Sequence, residues 1–396
     1  MHAPSLPLHG ITVVALEQAV AAPFATRQLA DLGARVIKIE RPGSGDFARH
    51  YDGTVLGQSS HFVWLNRSKE SLALDLKHPH AARVLECLLS KADVFIQNLA
   101  PGAADRLGLN GAHLHARYPS LVSCSISGYG EGGAYADKKA YDLLVQCEAG
   151  VLSITGTPDA PSKTGISIAD IAAGMYAYSG ILTALLARER GGNGTYFEVS
   201  MLEALGEWMG YPGYYTAYGG QSPGRTGASH ATIFPYGPFA VAHGRQVFFG
   251  IQNEREWQQF CDQVLQAPEL ATDPRFLNNS LRFGNQKLLR ELIEQRFSIC
   301  SADEVIGRLD AAGIANAQMN TPQDFWNHPQ LKARQRWRQF NTPGGPVDAL
   351  IPPVQFPDMP VRMDAMPAVG AQTESILAEL GLDTQEIADL GKPMTA

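Results

Sequence analysis

The segment GISIADIAAGMYA, residues 165–177, places a single carboxylate, Asp170, among small and apolar residues. An aspartate directly before an apolar helix usually acts as an N-cap, because its side chain accepts a hydrogen bond from an N–H of the first turn. A carboxylate at the positive end of a helix can also act as a nucleophile when the residues around it are small. The segment therefore predicts a capping role, a catalytic role, or both for Asp170.

Cations recur near the ends of several segments that have the composition of strands. The chain carries a formal charge of −7, so an anionic ligand needs a local basic cluster rather than a general positive field. Taken singly, each cation is expected to be a solvated surface residue. Taken together, cations at several strand ends are what a phosphate-bearing ligand requires. The set comprises Lys38, Arg41, Arg49, Arg67, Lys69, Lys77, Arg106, Lys138 and Lys139.

Several common motifs are absent from the sequence. The turn after the first predicted strand reads LEQAVAAPF rather than G-x-G-x-x-G, which argues against a dinucleotide site. No P-loop, G-x-S-x-G or H-E-x-x-H motif occurs either. The five cysteines are scattered without metal-ligand or C-x-x-C spacing. They favour free thiols in a reducing compartment, and we expect no bound metal.

The charge pattern and the N-terminal segment bear on partners and location. No basic block with interleaved aromatic residues occurs, so we expect no nucleic-acid partner. The segment MHAPSLPLHG lacks the basic and apolar regions of a signal peptide, and no apolar run reaches the length of a membrane span. These features predict a cytoplasmic protein that has no membrane partner.

Strand and helix patterns alternate through the first half of the chain. Strands are predicted over 11–16, 34–40, 70–77, 93–98, 121–130 and 195–201, and helices over 22–33, 79–92 and from Asp170 to about residue 190. Such alternation predicts an α/β fold with a mostly parallel sheet and helices on both of its faces. Ligands of such sheets bind near the carboxyl ends of the strands.

The second half of the chain has a different composition. Residues 210–230 are rich in glycine and tyrosine and predict a long functional loop or a crossover connection. The segments that follow predict a second, smaller α+β domain and two terminal helices. They are a β-hairpin over 237–252, helices over 254–266, 285–299 and 302–312, a proline-rich extended part near 343–360, and helices over 372–381 and 384–391.

The order of these segments resembles that of the class III CoA-transferases, the family that includes formyl-CoA and carnitine CoA-transferases. The resemblance covers nearly the whole chain. It is carried by GITVVALEQAVAAPFATRQLADLGARVIKIERPGSGD, NRSKESLALDLK, ADVFIQNLAPGAADRLGL, YPSLVSCSISGYG, AYDLLVQCEAG, ADIAAGMYA and GGNGTYFEVSMLEAL.

This resemblance implies a Rossmann-like large domain with an inserted smaller α+β domain. It also implies a homodimer in which two ring-like protomers interlock. The large domain is expected to comprise residues 1–224 and the C-terminal segment 326–396, with the small domain over 225–325. The co-substrate is expected to be a coenzyme A thioester, and no cofactor is expected to stay permanently bound.

The resemblance also implies roles for individual residues. Asp170 matches the nucleophilic aspartate of the family. Asp142 matches an acidic position beside the nucleophile and is expected to help bind substrate. Eight residues match positions that contact CoA: Arg41, Leu74, Lys77, Asn98, Leu99, Arg106, Lys139 and Tyr141.

The implied reaction begins when Asp170 attacks an acyl-CoA thioester, which gives a mixed anhydride and free CoA thiolate. The thiolate then attacks the enzyme carbonyl of the anhydride and leaves an aspartyl-CoA thioester. The acceptor carboxylate repeats these steps in reverse. Because a carboxylate is a weak nucleophile in water, we expect a desolvated site with backbone N–H groups directed at the oxyanion.

Two departures from formyl-CoA transferase bear on the acceptor. Val20 replaces a first-turn glutamine of that enzyme, and GRTGASHATIFPYG, residues 224–237, replaces its glycine-rich loop. These changes argue against formate or oxalate. The loop resembles that of a dicarboxylate branch, whose members use succinyl-CoA with itaconate, mesaconate, citramalate or glutarate. Our leading hypothesis is a succinyl-CoA:itaconate type of CoA-transferase.

The same loop supplies Arg225, Ser229 and His230 as candidate contacts of the acceptor. Arg225 could pair bidentately with the distal carboxylate of a dicarboxylic acid, and His230 could hydrogen-bond it. Alternatively, Arg225 anchors the loop and His230 is packed within it. The sequence leaves both interpretations open.

Two other functions compete with CoA transfer. The α-methylacyl-CoA racemases share this fold and are expected to use a His/Asp pair, with the histidine in the segment that matches 120–130. Here that segment reads SLVSCSISGYG and contains no histidine. A CoA-binding module without turnover would need no carboxylate at position 170, so the presence of Asp170 argues against it.

Overall fold

The structure is a computed structural model that describes residues 6–382 of the 396-residue chain. Within that range the strands are β1 Thr12–Leu16, β2 Arg35–Glu40, β3 Lys69–Ala73, β4 Val94–Gln97, β5 Val122–Ser127, β6 Gly156–Thr157, β7 Ala160–Pro161, β8 Tyr196–Ser200, β9 Tyr236–Ala240, β10 Gln246–Gly250, β11 Asn316–Ala317, β12 Trp337–Thr342 and β13 Gly345–Leu350.

The α-helices of the same range are α1 Ala21–Asp31, α2 Ser60–Leu65, α3 Ala81–Leu89, α4 Ala103–Arg106, α5 Gly111–Arg117, α6 Asp142–Glu148, α7 Val151–Ile154, α8 Ile168–Gly191, α9 Met201–Trp208, α10 Gly210–Gly219, α11 Glu254–Gln259, α12 Asn279–Gly284, α13 Gln286–Phe297, α14 Ala302–Ala311, α15 Pro322–Trp326, α16 Pro329–Ala333 and α17 Thr373–Glu379.

Six strands form a parallel sheet in the order β3-β2-β1-β4-β5-β8. In this register Val13 of β1 lies between Val36 of β2 and Val94 of β4. The central strands are almost continuously buried and read as apolar runs, because helices cover both faces of a parallel sheet. The predicted α/β class and parallel sheet are confirmed.

One face of the sheet packs against α3, α5 and α17. Val14 and Phe95 from the strands share an apolar core with Leu85, Leu114 and Leu377 from these helices. Since α17 belongs to the C-terminal part of the chain, both ends of the chain contribute to this layer.

Contrary to the expectation from the sequence, the helix α8 has the length and the apolar composition of a membrane span. Ala172, Ala173, Ala177 and Ile181 are buried along it, and the core helix of a folded domain passes the same test of length and composition. We therefore describe α8 as a core helix of the first compact unit.

The chain divides into two compact units. One comprises the described residues up to Gly150, the segment Thr164–Gly210 and the described residues from Gln330 onward; the other comprises Val151–Lys163 and Tyr211–Pro329. The predicted small domain, 225–325, lies inside the second unit, which has wider bounds. That unit contains the antiparallel sheet β11-β10-β9 and an aromatic core that includes Phe239 and Phe249.

Several elements differ from the sequence prediction. The segment 210–230 begins with the helix α10 rather than a loop, because tyrosines four residues apart pair along it; the rings of Tyr214 and Tyr218 stack with centroids 6.0 Å apart. The proline-rich segment near 343–360 includes β13, which pairs with β12. The predicted helix over 254–266 is α-helical only to Gln259 and continues as a π-helical turn.

Other predictions agree with the structure more closely. The hairpin over 237–252 is confirmed as β9 and β10. The helices over 285–299 and 302–312 correspond to α13 and α14, and the helix over 372–381 corresponds to α17. The predicted helix over 384–391 lies outside the described residues.

Candidate active site

Asp170 is the third residue of α8, not its N-cap. The helix begins at Ile168, and Ser167 at the N-cap makes no capping bond through its side chain. The N–H of Ala169 donates instead to Oδ1 of Asp142, at 2.8 Å. The prediction that Asp170 caps the helix was therefore wrong, because a carboxylate from α6 takes the capping position and leaves the Asp170 carboxylate free.

The Asp170 carboxyl is half-buried, and no residue within 6–382 donates a hydrogen bond to it. Burial, followed by the negative charge of Asp142, raises the pKa of Asp170 to about 7. A carboxylate held in this state is more basic than one in water, and therefore a better nucleophile. Perturbed carboxyl groups of this kind are typical of catalytic sites.

The helices α1 and α8 pack closely and in parallel. A Cβ added to Gly174 would lie 2.6 Å from the carbonyl oxygen of Ala21, and further along Nε2 of Gln28 lies 3.5 Å from Sδ of Met175. Asp170 precedes Gly174 by one turn, about 6 Å, on the same face of α8. It therefore lies level with the turn that precedes α1.

That turn is held in an unusual backbone conformation. Ala19 has a φ of +60°, in the left-handed region that non-glycine residues rarely adopt. Its N–H donates to Asp46 Oδ1 at 3.2 Å. The amide of Asn98 accepts the N–H of Gln18 at 2.9 Å and donates to the carbonyl of Gln18 at 2.8 Å. Two buried or half-buried side chains thus fix the turn beside Asp170.

Some of the predicted CoA contacts are engaged or packed within the fold. Both polar atoms of the Asn98 amide are hydrogen-bonded to the backbone of Gln18. The Leu74 side chain is buried in the core beside the sheet. Leu99 is half-buried, and its N–H donates to Oε1 of Gln97 at 2.7 Å. Tyr141, in contrast, is 68% exposed. CoA contacts at these positions remain predictions.

Four of the predicted CoA-binding cations have free charged groups. Arg41, Lys77, Arg106 and Lys139 are exposed, and none of them pairs with a carboxylate in the part of the chain that the structure describes. They follow β2, β3, β4 and β5 respectively. Because the carboxyl ends of parallel strands meet at one edge of a sheet, each of these cations lies in a segment that leaves that edge, where ligands of such sheets bind.

The other five cations of the sequence set form ion pairs within the protein, and the assignment of the buried Lys38, Arg67 and Lys69 to a phosphate-binding cluster was wrong. Lys38 and Lys69 are fully buried and both contact Glu17, with Nζ–Oε1 distances of 3.4 and 2.7 Å. The remaining pairs are Arg49–Glu40, Arg67–Asp31 and Lys138–Glu148. In each of these ion pairs the two residues are distant in sequence or are brought together by a turn. Local sequence patterns therefore did not reveal the ion pairs.

The candidate acceptor loop lies in the second compact unit. Arg225 donates from Nε and Nη2 to the carbonyls of Thr157 and Pro158, at 2.9 and 2.8 Å, as an anchor of the loop would. Oγ of Ser229 accepts from Nη2 of Arg290 at 3.4 Å.

The imidazole of His230 is oriented by the loop itself. Its Nδ1 accepts the N–H groups of Thr232 and Ile233, both at 3.1 Å, and its ring stacks on Tyr236 with centroids 5.1 Å apart. An Nδ1 that accepts hydrogen bonds leaves the proton on Nε2, so the outward nitrogen is a donor.

Residues 8–373 match the model of CoA-transferase family III. The chain belongs to this family. It is 36% identical over 349 residues to the acetyl-CoA:oxalate CoA-transferase of Acetobacter aceti, covering 87% of this chain and 89% of the relative. It is 31% identical to the succinyl-CoA:glutarate CoA-transferase of Mus musculus, covering 94% and 86% of the two chains.

A solved structure supports the same assignment. A CAIB/BAIF family protein from Brucella suis superposes with a TM-score of 0.82 at 32% identity, over 95% of this chain and 100% of that chain. The protein is thus a class III CoA-transferase, and CoA thioesters are the co-substrates of such enzymes.

Sequence reasoning missed two residues near Asp170 of this CoA-transferase. Burial and the charges of Asp46 and Asp170 raise the pKa of Tyr51 to about 12, which indicates that its hydroxyl lies near both carboxylates. Gln146 is fully buried and donates to Asp142 at 2.7 Å. A polar residue at a buried helical position was the available signal for Gln146, whereas Tyr51 lies in an irregular loop that gave no such signal.

Proposed function

We propose that this CoA-transferase moves CoA from succinyl-CoA to a small dicarboxylic acid, with itaconate as the leading acceptor, through a covalent intermediate on Asp170. The observation that carries the proposal is the Asp170 carboxyl, which is half-buried, receives no hydrogen bond from residues 6–382, and has a pKa raised to about 7 beside Asp142. A cytoplasmic homodimer without membrane or nucleic-acid partners remains part of this proposal.

The reaction balances without any further reactant. An oxygen of Asp170 attacks the thioester carbonyl, and the C–S bond breaks. The products are the CoA thiolate and a mixed anhydride between the donor acyl group and Asp170. The thiolate attacks the Asp170 carbonyl and releases the donor as a free carboxylate. The acceptor carboxylate then attacks the aspartyl thioester, and the returning thiolate attacks the acceptor carbonyl, which regenerates Asp170.

The four free cations at the carboxyl edge of the sheet support CoA binding. Phosphate groups require positive partners, and Arg41, Lys77, Arg106 and Lys139 are not neutralised by carboxylates within residues 6–382. We propose that these side chains hold the phosphates of CoA, and that Leu74, Asn98, Leu99 and Tyr141 contact the rest of the molecule.

We propose that Asp142 contacts the substrate and that the loop residues Arg225, Ser229 and His230 contact the acceptor. The Nε2–H of His230 is a fixed donor suited to the second carboxylate of a dicarboxylic acid. Arg225 keeps a positive charge that no described carboxylate neutralises, although two of its N–H groups anchor the loop. The mouse relative is named for glutarate, which supports a dicarboxylate acceptor.

The second candidate is transfer from acetyl-CoA to oxalate. It is favoured by the name of the Acetobacter aceti relative, which is 36% identical. Val20 and the loop 224–237 argue against it, since these are the positions at which the sequence departs from formyl-CoA transferase. Comparing kcat/KM for itaconate, mesaconate, citramalate, glutarate and oxalate, each with succinyl-CoA and acetyl-CoA, decides between the two; activity with oxalate alone would refute our proposal.

Chemical trapping tests the nucleophile. The enzyme is incubated with succinyl-CoA, treated with hydroxylamine or borohydride, and digested for mass spectrometry. We expect modification at Asp170 and none in Asp170→Ala, which should also have no transferase activity. Modification of another residue, or a fully active Asp170→Ala enzyme, would overturn the mechanism. Absence of α-deuterium exchange in a branched acyl-CoA would exclude the racemase alternative.

A further inference from the structure

The buried amide of Gln146 connects α6 to the segment that leads into Asp170. Its Nε2 donates to Oδ2 of Asp142 at 2.7 Å, and its Oε1 accepts the N–H of Thr164 at 3.0 Å. The side chain is completely buried. Because Asp142 and Gln146 are four residues apart on α6, they lie on the same face of that helix.

The second carboxylate oxygen of Asp142 completes this connection. It accepts the N–H of Ala169, the residue before Asp170, at 2.8 Å. Both ends of the segment 164–169 are therefore bonded to side chains of α6, and Ser167 supplies no capping bond of its own. The position of the nucleophile thus depends on a pair of side chains outside its own helix.

The amide of Gln146 suits this position because it carries a donor and an acceptor on one planar group. It must donate to a carboxylate on one side and accept a peptide N–H on the other. An ionised carboxylate accepts but cannot donate, and a hydrocarbon does neither. A buried peptide N–H or carboxylate left without its partner costs free energy, so the arrangement disfavours a carboxylate or a hydrocarbon at position 146.

We propose that Gln146 is a positioning residue for the transfer reaction: it orients Asp142 and fixes the segment that presents Asp170 to the acyl-CoA. The inference rests on the proposed role of Asp170 as the nucleophile. Gln146 does not touch the reacting atoms and acts through Asp142. The described titratable groups whose charges couple to Asp170 are Asp142 on α6 and Tyr51 in the loop after β2.

Two substitutions at position 146, of similar size to glutamine, alter the contact with Asp142 and change the negative charge near Asp170 in opposite directions. Gln146→Met removes both hydrogen bonds and releases the Asp142 carboxylate from its fixed position, so the like charge that raises the pKa of Asp170 weakens. Gln146→Glu places another carboxylate against Asp142 and adds negative charge near Asp170. The midpoint pH for acylation of Asp170 should therefore fall in the first variant and rise in the second.

The test compares wild type, both variants and Cys147→Ser, a control at an exposed neighbouring position of α6. It measures kcat, KM for succinyl-CoA, and the midpoint pH of Asp170 acylation in a single turnover. We expect kcat to fall about tenfold or more in both Gln146 variants, because small displacements of a nucleophile are costly. KM should change less than about threefold, since no CoA contact is altered, and Cys147→Ser should match wild type.

Unchanged kcat in Gln146→Met, or midpoints that move in the same direction, would overturn the inference. If Gln146→Glu does not fold, Gln146→Met decides the question through its lower kcat and lower midpoint. A wild-type enzyme that forms no Asp170 adduct overturns the proposed function and this inference with it. A wild-type adduct together with unaffected variants overturns the inference alone.

Discussion

Asp142 and Asp170 lie in the first turns of two different helices, α6 and α8, and the charge of one raises the pKa of the other. Asp142 is itself held by two hydrogen-bond donors, the N–H of Ala169 and Nε2 of Gln146. Asp170 has no donor among residues 6–382. The pair therefore has unequal environments, which is how two nearby carboxyl groups take different roles.

The rate of acylation should rise with pH through about 7, because Asp170 must be ionised to attack and its pKa is raised to about 7. Asp142→Asn keeps an oxygen that can accept the Ala169 N–H but removes the negative charge, so the midpoint should move to lower pH. Single-turnover rates between pH 5 and 9, as a rough working range, check this expectation. A midpoint near 4 in wild type would contradict it.

Asp170→Asn should stabilise the protein at alkaline pH while it abolishes activity. The unfolded state ionises Asp170 near its ordinary pKa of 3.8, whereas the folded state holds the proton up to about 7. Stability is therefore lost as pH rises between these values, and the amide removes that loss. We expect a gain of about 1–2 kcal/mol above pH ~7, allowing for solvent screening, that vanishes near pH ~4.

Chemical denaturation of wild type and Asp170→Asn at both pH values measures this difference. Glu189→Gln, an exposed change near the other end of α8, serves as the control and should show little dependence on pH. A gain of equal size at both pH values would show that the effect does not come from ionisation of Asp170.

Arg106→Ala should weaken CoA binding more than Lys138→Ala does. Arg106 is exposed and has no carboxylate partner within the described chain, whereas Lys138 is paired with Glu148 and lies over the ring of Tyr135. Loss of one charged contact to phosphate costs about 1.5–3 kcal/mol, or roughly tenfold to a hundredfold in affinity. Calorimetric titration with CoA compares the two variants; equal losses would argue against the division into free and paired cations.

Gly174→Ala should destabilise the protein, although alanine favours helices. The added Cβ would lie 2.6 Å from the carbonyl of Ala21, so α1 and α8 would have to separate. Gly206→Ala in α9 is the matched control, because nothing lies within 4 Å of its Cβ position. Alanine should stabilise that site by about 0.5–1 kcal/mol. Thermal unfolding should therefore show shifts of opposite sign.

Glu17→Gln should be strongly destabilising, by about 3–5 kcal/mol, because it leaves Lys38 and Lys69 close together in the interior with less negative charge. Burial already lowers the pKa of Lys69 to about 8. Urea denaturation measures the loss. An effect no larger than that of an exposed substitution such as Glu203→Gln would contradict the importance of this buried network.

The sequence by itself determined the α/β class and the parallel sheet, and it identified Asp170 as a candidate catalytic residue. Apolar runs such as ITVVAL and small residues around one carboxylate are local patterns, and burial on both faces of a sheet produces them directly. The family resemblance rested on the order of such segments. The sequence suggested substrate contacts in the loop 224–237. It could not distinguish them from residues that anchor the loop, because an arginine at position 225 suits either role.

Only the tertiary structure decided which charges are free and which side chains hold the segment before Asp170. Lys38 and Arg41 lie three residues apart in sequence, yet one is buried against Glu17 and Asp46 while the other is exposed. Likewise, Asp142 accepts a hydrogen bond from the N–H of Ala169 at the start of α8, although the two residues are 27 positions apart in sequence. Local periodicity reports which face of an element is buried, but the pairing of charges depends on how distant elements pack.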